Sequence, residues 1–181
     1  LQRLTKAGVE VHSFNTRQGW TNRFQINFRN HRKILVIDGD TAVIGGLNIG
    51  TEYLGSADKS SRWRDTGLKV TGPITHKVQA AFAGDYFWAA RENLPEANWT
   101  APESQSTSKS LKSESDRNAV CCVTGPADLR PRASMMYSSL ANAAKSRLWI
   151  CTPYLVPDEA SIVALHMAKA RGVDVRLLIP D

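Results

Sequence analysis

Short apolar runs separated by turn residues predict strands in the first part of this chain. Residues 34–37 and 41–44 are apolar and mostly β-branched, and the turn residues Asp38, Gly39 and Asp40 lie between them. This pattern predicts a β-hairpin. Residues 9–14 and 24–28 are interpreted as two further strands that precede it.

Longer periodic stretches follow the hairpin. Pro73 can open a helix, because its missing N–H costs nothing in the first turn. From there to Glu92, apolar residues recur at spacings of four and three, which is the repeat of one helix face. The residues of that face are Val78, Phe82, Tyr86 and Ala89. The pattern therefore predicts an amphipathic helix.

The last third of the chain alternates between strand and helix patterns. We expect a strand over 119–123, a helix over 129–146, a strand over 148–155, a helix over 158–171 and a strand over 173–179. In the first of these helices, Met135, Leu140 and Ala144 are predicted to face inward. Gly172 should close the second helix as its C-cap glycine. A strand, a helix and a strand with nearly continuous apolar strands predict a parallel βαβ unit.

A shift in composition separates these two blocks. The segment from about residue 94 to 118 is rich in serine and charge and nearly free of apolar side chains, which is typical of a flexible connection. We therefore expect a first domain over 1–93, a linker over 94–118 and a second domain over 119–181.

Charge and cysteine content narrow the functional classes only a little. The net charge of +6 suits a partner that carries phosphates, either an anionic lipid surface or a nucleic acid. No apolar run is long enough to span a bilayer. Cys121, Cys122 and Cys151 lack the spacing of metal ligands and are predicted to be small buried apolar residues.

The most informative chemistry lies at the start of the predicted hairpin. His31, Lys33 and Asp38 have the spacing H-x-K-x4-D, and Gly45, Gly46 and Asn48 follow. A histidine and a lysine two residues apart on a strand point to the same face. An imidazole can attack the phosphorus of a phosphodiester while an ammonium neutralises the oxygen charge. A plain hairpin would explain the apolar runs and the turn, but it would not explain these residues.

This segment resembles the signature of the phospholipase D superfamily, and in detail that of the bacterial cardiolipin synthases. Three further stretches support the resemblance: Trp63-Arg64-Asp65-Thr66 leading to Thr71-Gly72-Pro73, the stretch 151–159 and the stretch 171–180. The resemblance implies an α/β fold, with a mixed sheet flanked by helices in each of two similar halves. Each half carries one H-x-K-x4-D motif. This chain would hold the later part of the first half and the start of the second half.

The resemblance also implies roles for individual residues. His31 matches the nucleophile that forms a phosphohistidine, while Lys33 and Asn48 match residues that hold the phosphate. Gly45 and Gly46 would let the backbone approach the substrate closely. Asp65 matches the carboxylate that orients the histidine.

Asp38, although it belongs to the catalytic motif, is expected to fix the hairpin turn, because alternation places it on the opposite face from His31. No metal ion or other cofactor is required, since the histidine and the lysine carry the charge.

The implied substrate is an anionic phospholipid, phosphatidylglycerol, at a membrane surface. The implied location is the bacterial inner membrane, with the catalytic part facing the cytoplasm and any transmembrane segments outside this chain. The wording of the motifs argues against nucleic acid as the substrate.

The chain is expected to be incomplete as an enzyme. Its histidines are His12, His31, His76 and His166, and only His31 has a lysine two residues later. A second motif, needed to protonate the leaving alcohol, would have to come from the missing second half. Leu1 stands where an initiator methionine is expected, which suggests a piece of a longer protein. We therefore predict no appreciable turnover by this chain alone.

Two alternatives remain open. One is a hydrolase or nuclease of the same superfamily, in which water accepts the phosphoryl group. The other is a non-catalytic module that binds anionic lipid or nucleic acid.

Overall fold

Two units are distinguished in the computed structural model of this chain, Leu1–Val123 and Thr124–Asp181. The structure describes residues 1–14, 30–50, 65–95, 97–99, 118–125 and 128–179. Within these ranges, the helices are too short or too polar to cross a lipid bilayer.

The first unit contains the predicted hairpin. Strands β1 (Lys33–Ile37) and β2 (Thr41–Gly45) pair in antiparallel fashion, with Lys33 opposite Gly45 and Ile37 opposite Thr41. Asp38 and Gly39 have φ angles of 54° and 80°, and the Asp40 N–H donates to the Ile37 carbonyl. Positive φ at two successive residues allows the tight reversal of the chain, and glycine and aspartate are among the residues that adopt it most readily. The prediction of a hairpin is confirmed.

A third strand and a long helix complete the first unit. Strand β3 (Leu68–Thr71) pairs with β2, so the antiparallel sheet has the order β1-β2-β3. Helix α2 (Ile74–Ala90) contacts the sheet, where Ala42 of β2 and Val78 of α2 are buried. A short helix, α1 (Gln2–Lys6), begins the chain.

Buried polar contacts attach the hairpin turn to α2. The Thr75 hydroxyl, which is fully buried, donates to the Asp40 carbonyl at 3.1 Å. The buried Gln79 amide donates to the Asn98 carbonyl at 2.7 Å, and the Asn98 side chain donates to the Asp38 carbonyl at 3.2 Å. Gly39 packs against this network, and a Cβ on Gly39 would lie 2.8 Å from the Asn98 carbonyl oxygen. Asn98, which falls in the segment predicted to be a linker, therefore covers the turn.

The second unit contains the predicted parallel βαβ arrangement. Helix α3 (Arg132–Ala143) is followed by strand β4 (Arg147–Cys151), helix α4 (Glu159–Ala170) and strand β5 (Asp174–Leu178). Strands β4 and β5 pair in parallel, with Leu148 opposite Val175. Gly172 has a φ of 85°, and its N–H and that of Val173 donate to the Lys169 and Ala168 carbonyls. This is the Schellman arrangement, so the predicted glycine closure of α4 is confirmed.

Helices α3 and α4 are joined at both ends. The Asp158 carboxylate caps α4 by accepting from the Ser161 N–H at 2.9 Å, and it also accepts from the Ser134 hydroxyl of α3. At the other end, the Arg171 guanidinium donates to the Ala141 carbonyl at 2.9 Å. The buried residues of both helices are alanines, which allow their backbones to approach closely: Ala141, Ala164 and Ala168.

Two predicted strands are wrong. Residues 9–14 and 119–123 form no strand, because neither segment pairs with another strand in the part of the chain that the structure describes. The predicted strand over 24–28 lies outside the described residues. The other elements occur where the pattern predicts them, with ends shifted by a few residues.

Several predictions of burial are also wrong. Met135 and Leu140 are 52% and 55% exposed, because small Ala141, rather than these larger side chains, is the buried residue of α3. On α2, Val78 is buried as predicted, but Phe82 is 38% exposed. Cys122 and Cys151 are exposed free thiols. Cys151 lies on the outward face of β4, where exposure alternates along the strand.

A hydrogen bond between Tyr86 of α2 and Glu10 connects this helix to the segment that follows α1. Its hydroxyl donates to the Glu10 carboxylate, and this hydrogen bond raises the pKa of Tyr86 to about 12. The protonated phenol is therefore favoured in the folded state. Its contribution to stability is complete below the unfolded pKa near 10 and is lost as the pH rises through about 12.

We expect the E10Q substitution to lower the pKa of Tyr86 towards its ordinary value, because the carboxylate charge is removed. Ultraviolet titration of tyrosinate measures this change, and the Y86F variant identifies which of the four tyrosines titrates late. A late-titrating Tyr86 that persists in E10Q would contradict the contact.

Candidate active site

The predicted site residues gather at one end of the three-stranded sheet. Lys33 begins β1, and the exposed His31 lies just before it. The Lys33 ammonium donates to the His31 carbonyl at 2.8 Å. Across the sheet from Lys33, Gly45 ends β2, and Gly46 and the exposed Asn48 follow.

Asp65 lies at the same end of the sheet, next to Gly46. A Cβ on Gly46 would lie 2.7 Å from Asp65 Oδ2 and 3.2 Å from its Cγ, so the carboxylate occupies the space where a side chain would be. The Thr66 N–H donates to Asp65 Oδ1 at 2.6 Å. At Gly45, the nearest atom to such a Cβ is the Gly67 Cα at 3.4 Å. Gly46 therefore has a protein neighbour, which the sequence pattern alone did not indicate.

Asp38 lies at the other end of β1 from His31. The five residues of β1, which lie between the two positions, alone span roughly 16 Å of extended chain. The Asp38 carbonyl accepts from Asn98, and its φ of 54° belongs to the hairpin turn. The structure therefore brings His31, Lys33, Gly45, Gly46 and Asp65 together at one end and places Asp38 in the turn.

Sequence reasoning missed Asp85, which holds both neighbours of His31. Its carboxylate accepts from the Asn30 side chain at 2.8 Å and from the Arg32 guanidinium at 2.6 Å. We call this set of contacts among Asn30, Arg32 and Asp85 the Asp85 bridge. An aspartate in a helical pattern more than fifty residues after His31 gives no local signal of such a contact.

Among the described residues of the first unit, one cluster of metal-ligand side chains occurs away from this site. Glu10, His12 and Glu92 each offer one ligand atom, and these atoms lie within 4.8 Å of one another. All three residues are exposed, and the His12 imidazole already contacts Glu10 at 2.6 Å. Exposed groups of this kind are common without an ion, so we assign none.

Comparison with known proteins bears directly on this arrangement. The chain is 48% identical over 184 residues to cardiolipin synthase A of Pseudomonas fluorescens strain SBW25, a match that covers 100% of the chain. It is 45% identical over 182 residues to cardiolipin synthase A of Pseudomonas putida strain W619, which covers 99% of the chain. The resemblance to the cardiolipin synthases is confirmed. Residues 137–181 also match the family described as "Cardiolipin synthase, PLD-like domain".

The matched relatives, which are named as enzymes, are much longer than this chain. The chain spans 36% of the length of the first relative and 35% of the second. No solved structure matches the chain significantly. The α/β architecture nevertheless agrees with the expected phospholipase D-like fold, and the family match in the second unit covers β4, α4 and β5.

The contact between Gly46 and Asp65 predicts the effect of adding one methyl group. In G46A the new Cβ would overlap Asp65 Oδ2, and the short side chain must rotate away. Because Asp65 is exposed, we expect a stability change of only about 1 kcal/mol, smaller than overpacking costs in a core. The Thr66 amide, which donates to Asp65, should shift strongly in the NMR spectrum.

G45A is the matched control, since its Cβ would make only ordinary van der Waals contacts. Its Thr66 amide should shift less than that of G46A. Equal shifts in the two variants, or no shift in G46A, would contradict the placement of Asp65 over Gly46.

Proposed function

We propose that this chain supplies the nucleophilic part of an active site that transfers a phosphatidyl group between two phosphatidylglycerol molecules. The products are cardiolipin and glycerol. The observation that carries the proposal is the gathering of His31, Lys33 and Asp65 at one end of the sheet. The similarity of the whole chain to proteins named cardiolipin synthase A supports the choice of reaction.

In the first step, a ring nitrogen of His31 attacks the phosphorus of phosphatidylglycerol. The bond between phosphorus and the oxygen of the headgroup glycerol breaks, and this glycerol leaves with a proton, so that the phosphatidyl group remains on His31 as a phosphohistidine. In the second step, a hydroxyl of another phosphatidylglycerol attacks the same phosphorus, the N–P bond breaks, and His31 is restored. Asp65 orients the imidazole by accepting from its other ring nitrogen and stabilises the positive charge.

Lys33 can bind the phosphate and keep its hydrogen bond to the His31 carbonyl at the same time. An ammonium has three N–H donors, and the His31 carbonyl accepts from one of them. The others are available for a non-bridging phosphate oxygen, which Asn48 also binds. An ammonium held in place before the reaction stabilises the charge of the transition state without further reorganisation.

The leaving alcohol requires an acid that this chain does not supply. His31 carries the chain's single H-x-K-x4-D motif, and the relatives are nearly three times as long. A second motif, from the second half of the longer protein, donates the proton to glycerol and later removes one from the acceptor. The active site is therefore shared between the two halves.

The substrate defines where the reaction occurs. Phosphatidylglycerol is an anionic membrane lipid, and the net charge of +6 favours approach to an anionic surface. We assign the intact enzyme to the bacterial inner membrane, with this part facing the cytoplasm.

The isolated chain should form no cardiolipin from vesicles that contain phosphatidylglycerol, because the general acid is absent. Mass spectrometry of the extracted lipids measures the product. Robust cardiolipin formation by a monomer, as verified by light scattering, would contradict the shared site.

A chimera tests His31 in a complete enzyme. Residues 1–181 replace the matching 184 residues of the Pseudomonas fluorescens relative, and cardiolipin formation is measured by the same assay. We expect H31A to lower kcat by at least about a thousandfold, because it removes the group that forms the covalent intermediate. H166N, at an exposed position of α4, is the control and should retain activity.

Other outcomes of this assay distinguish the alternatives. An H31A chimera that keeps its activity would refute the nucleophile. Phosphatidic acid as the main product of the unsubstituted chimera would favour a hydrolase, with water as the acceptor.

A further inference from the structure

A residue outside the sheet, Asp85, holds the segment that carries His31. Asp85 of α2 accepts from Asn30 Nδ2 at 2.8 Å and from Arg32 Nη1 at 2.6 Å, through its two different carboxylate oxygens. The Arg32 N–H donates in turn to Asn30 Oδ1 at 2.8 Å. The side chains of Asp85 and Arg32 are 21% and 32% exposed, so water screens the pair only in part.

Among the residues that the structure describes, no strand pairs with His31. It precedes β1, whose ladder begins at Lys33, and it is exposed. The residues on both sides of it are held by one carboxylate, and its own carbonyl accepts from Lys33. The backbone torsions of His31, and with them the direction of its Cα–Cβ bond, therefore depend on the Asp85 bridge.

Helix α2 provides a rigid base for this bridge. Thr75 and Gln79, near the start of the helix, are buried and attach it to the hairpin turn. The ten residues from Thr75 to Asp85 span roughly 15 Å of helix, which is close to the length of a five-residue strand such as β1. One helix thus contacts the hairpin at the turn and again just before β1.

We infer that Asp85 is a positioning residue for His31. It does not contact the substrate; its carboxylate sets the position of the imidazole by holding the residues before and after it. A displacement of about 1 Å in a reacting group can lower a rate by about a hundredfold. Loss of the bridge should therefore lower kcat and leave KM nearly unchanged. The inference rests on the proposed function only in taking His31 as the reacting group.

The first experiment measures how tightly the backbone at His31 is held, in the 181-residue chain. We expect the order parameter of the His31 N–H, from ¹⁵N relaxation, to fall from about 0.85 to below about 0.6 in D85A. D174A is the matched control, because Asp174 also pairs with an arginine, Arg176, but in the other unit. It should leave His31 unchanged.

Smaller changes keep this experiment decisive if D85A does not fold. N30A and R32Q each remove one donor to Asp85, and each should lower the His31 order parameter by part of the full effect. An unchanged order parameter in every folded variant would overturn the inference.

The second experiment measures catalysis in the chimera with the Pseudomonas fluorescens relative. D85A should lower kcat by about 10- to 100-fold, with KM and thermal stability close to those of the unsubstituted chimera. D85E, which keeps a carboxylate, should restore part of the rate. A loss of activity that follows a loss of thermal stability would indicate a merely structural ion pair and overturn the inference.

The two experiments separate this inference from the proposed function. If H31A retains activity while D85A still loosens His31, the proposed nucleophile is wrong and the Asp85 bridge stands. If H31A is inactive while D85A leaves both the order parameter and kcat unchanged, the nucleophile stands and the positioning role is wrong.

Discussion

Buried polar groups on α2 fix the position of the β1–β2 hairpin. Thr75 and Gln79 are buried, and their side chains donate to the backbone carbonyls of Asp40, in the turn, and of Asn98, beside it. A buried donor that loses its partner costs about 1–3 kcal/mol. Sliding of the helix along the sheet would break both hydrogen bonds, so the helix has one register relative to the hairpin. The geometry of the candidate site at the other end of the hairpin depends on that register.

Two contacts, of different kinds, fix the residues of the candidate site at that end of the hairpin. Asp65 enters the space left by the missing side chain of Gly46, and Asp85 holds the neighbours of His31. Both contacts are made by carboxylates that come later in the chain. The local sequence around His31 therefore provides the reactive groups, whereas distant residues determine where those groups lie.

Features that depend on neighbouring residues were predictable from sequence. The turn chemistry of Asp38 and Gly39 indicated the hairpin, and Gly172 indicated the end of α4. Features that need a distant partner were not. Residues 9–14 have a strand-like pattern but no pairing strand among the described residues, and Leu140 has a core-like side chain on a face that the structure leaves exposed. Asp85 was missed for the same reason, because its two partners lie more than fifty positions earlier in the chain.

The double attachment of α2 restricts how the length of this region can vary. One residue inserted between Gln79 and Asp85 would turn the later part of the helix by about 100° and advance it by about 1.5 Å. The turn would stay in place, but the Asp85 carboxylate would point away from Asn30 and Arg32. Loops commonly accept insertions and deletions without loss of fold. In this helix, a single such event would leave the hairpin folded but would separate Asp85 from the two neighbours of His31, so the number of residues between Gln79 and Asp85 is fixed.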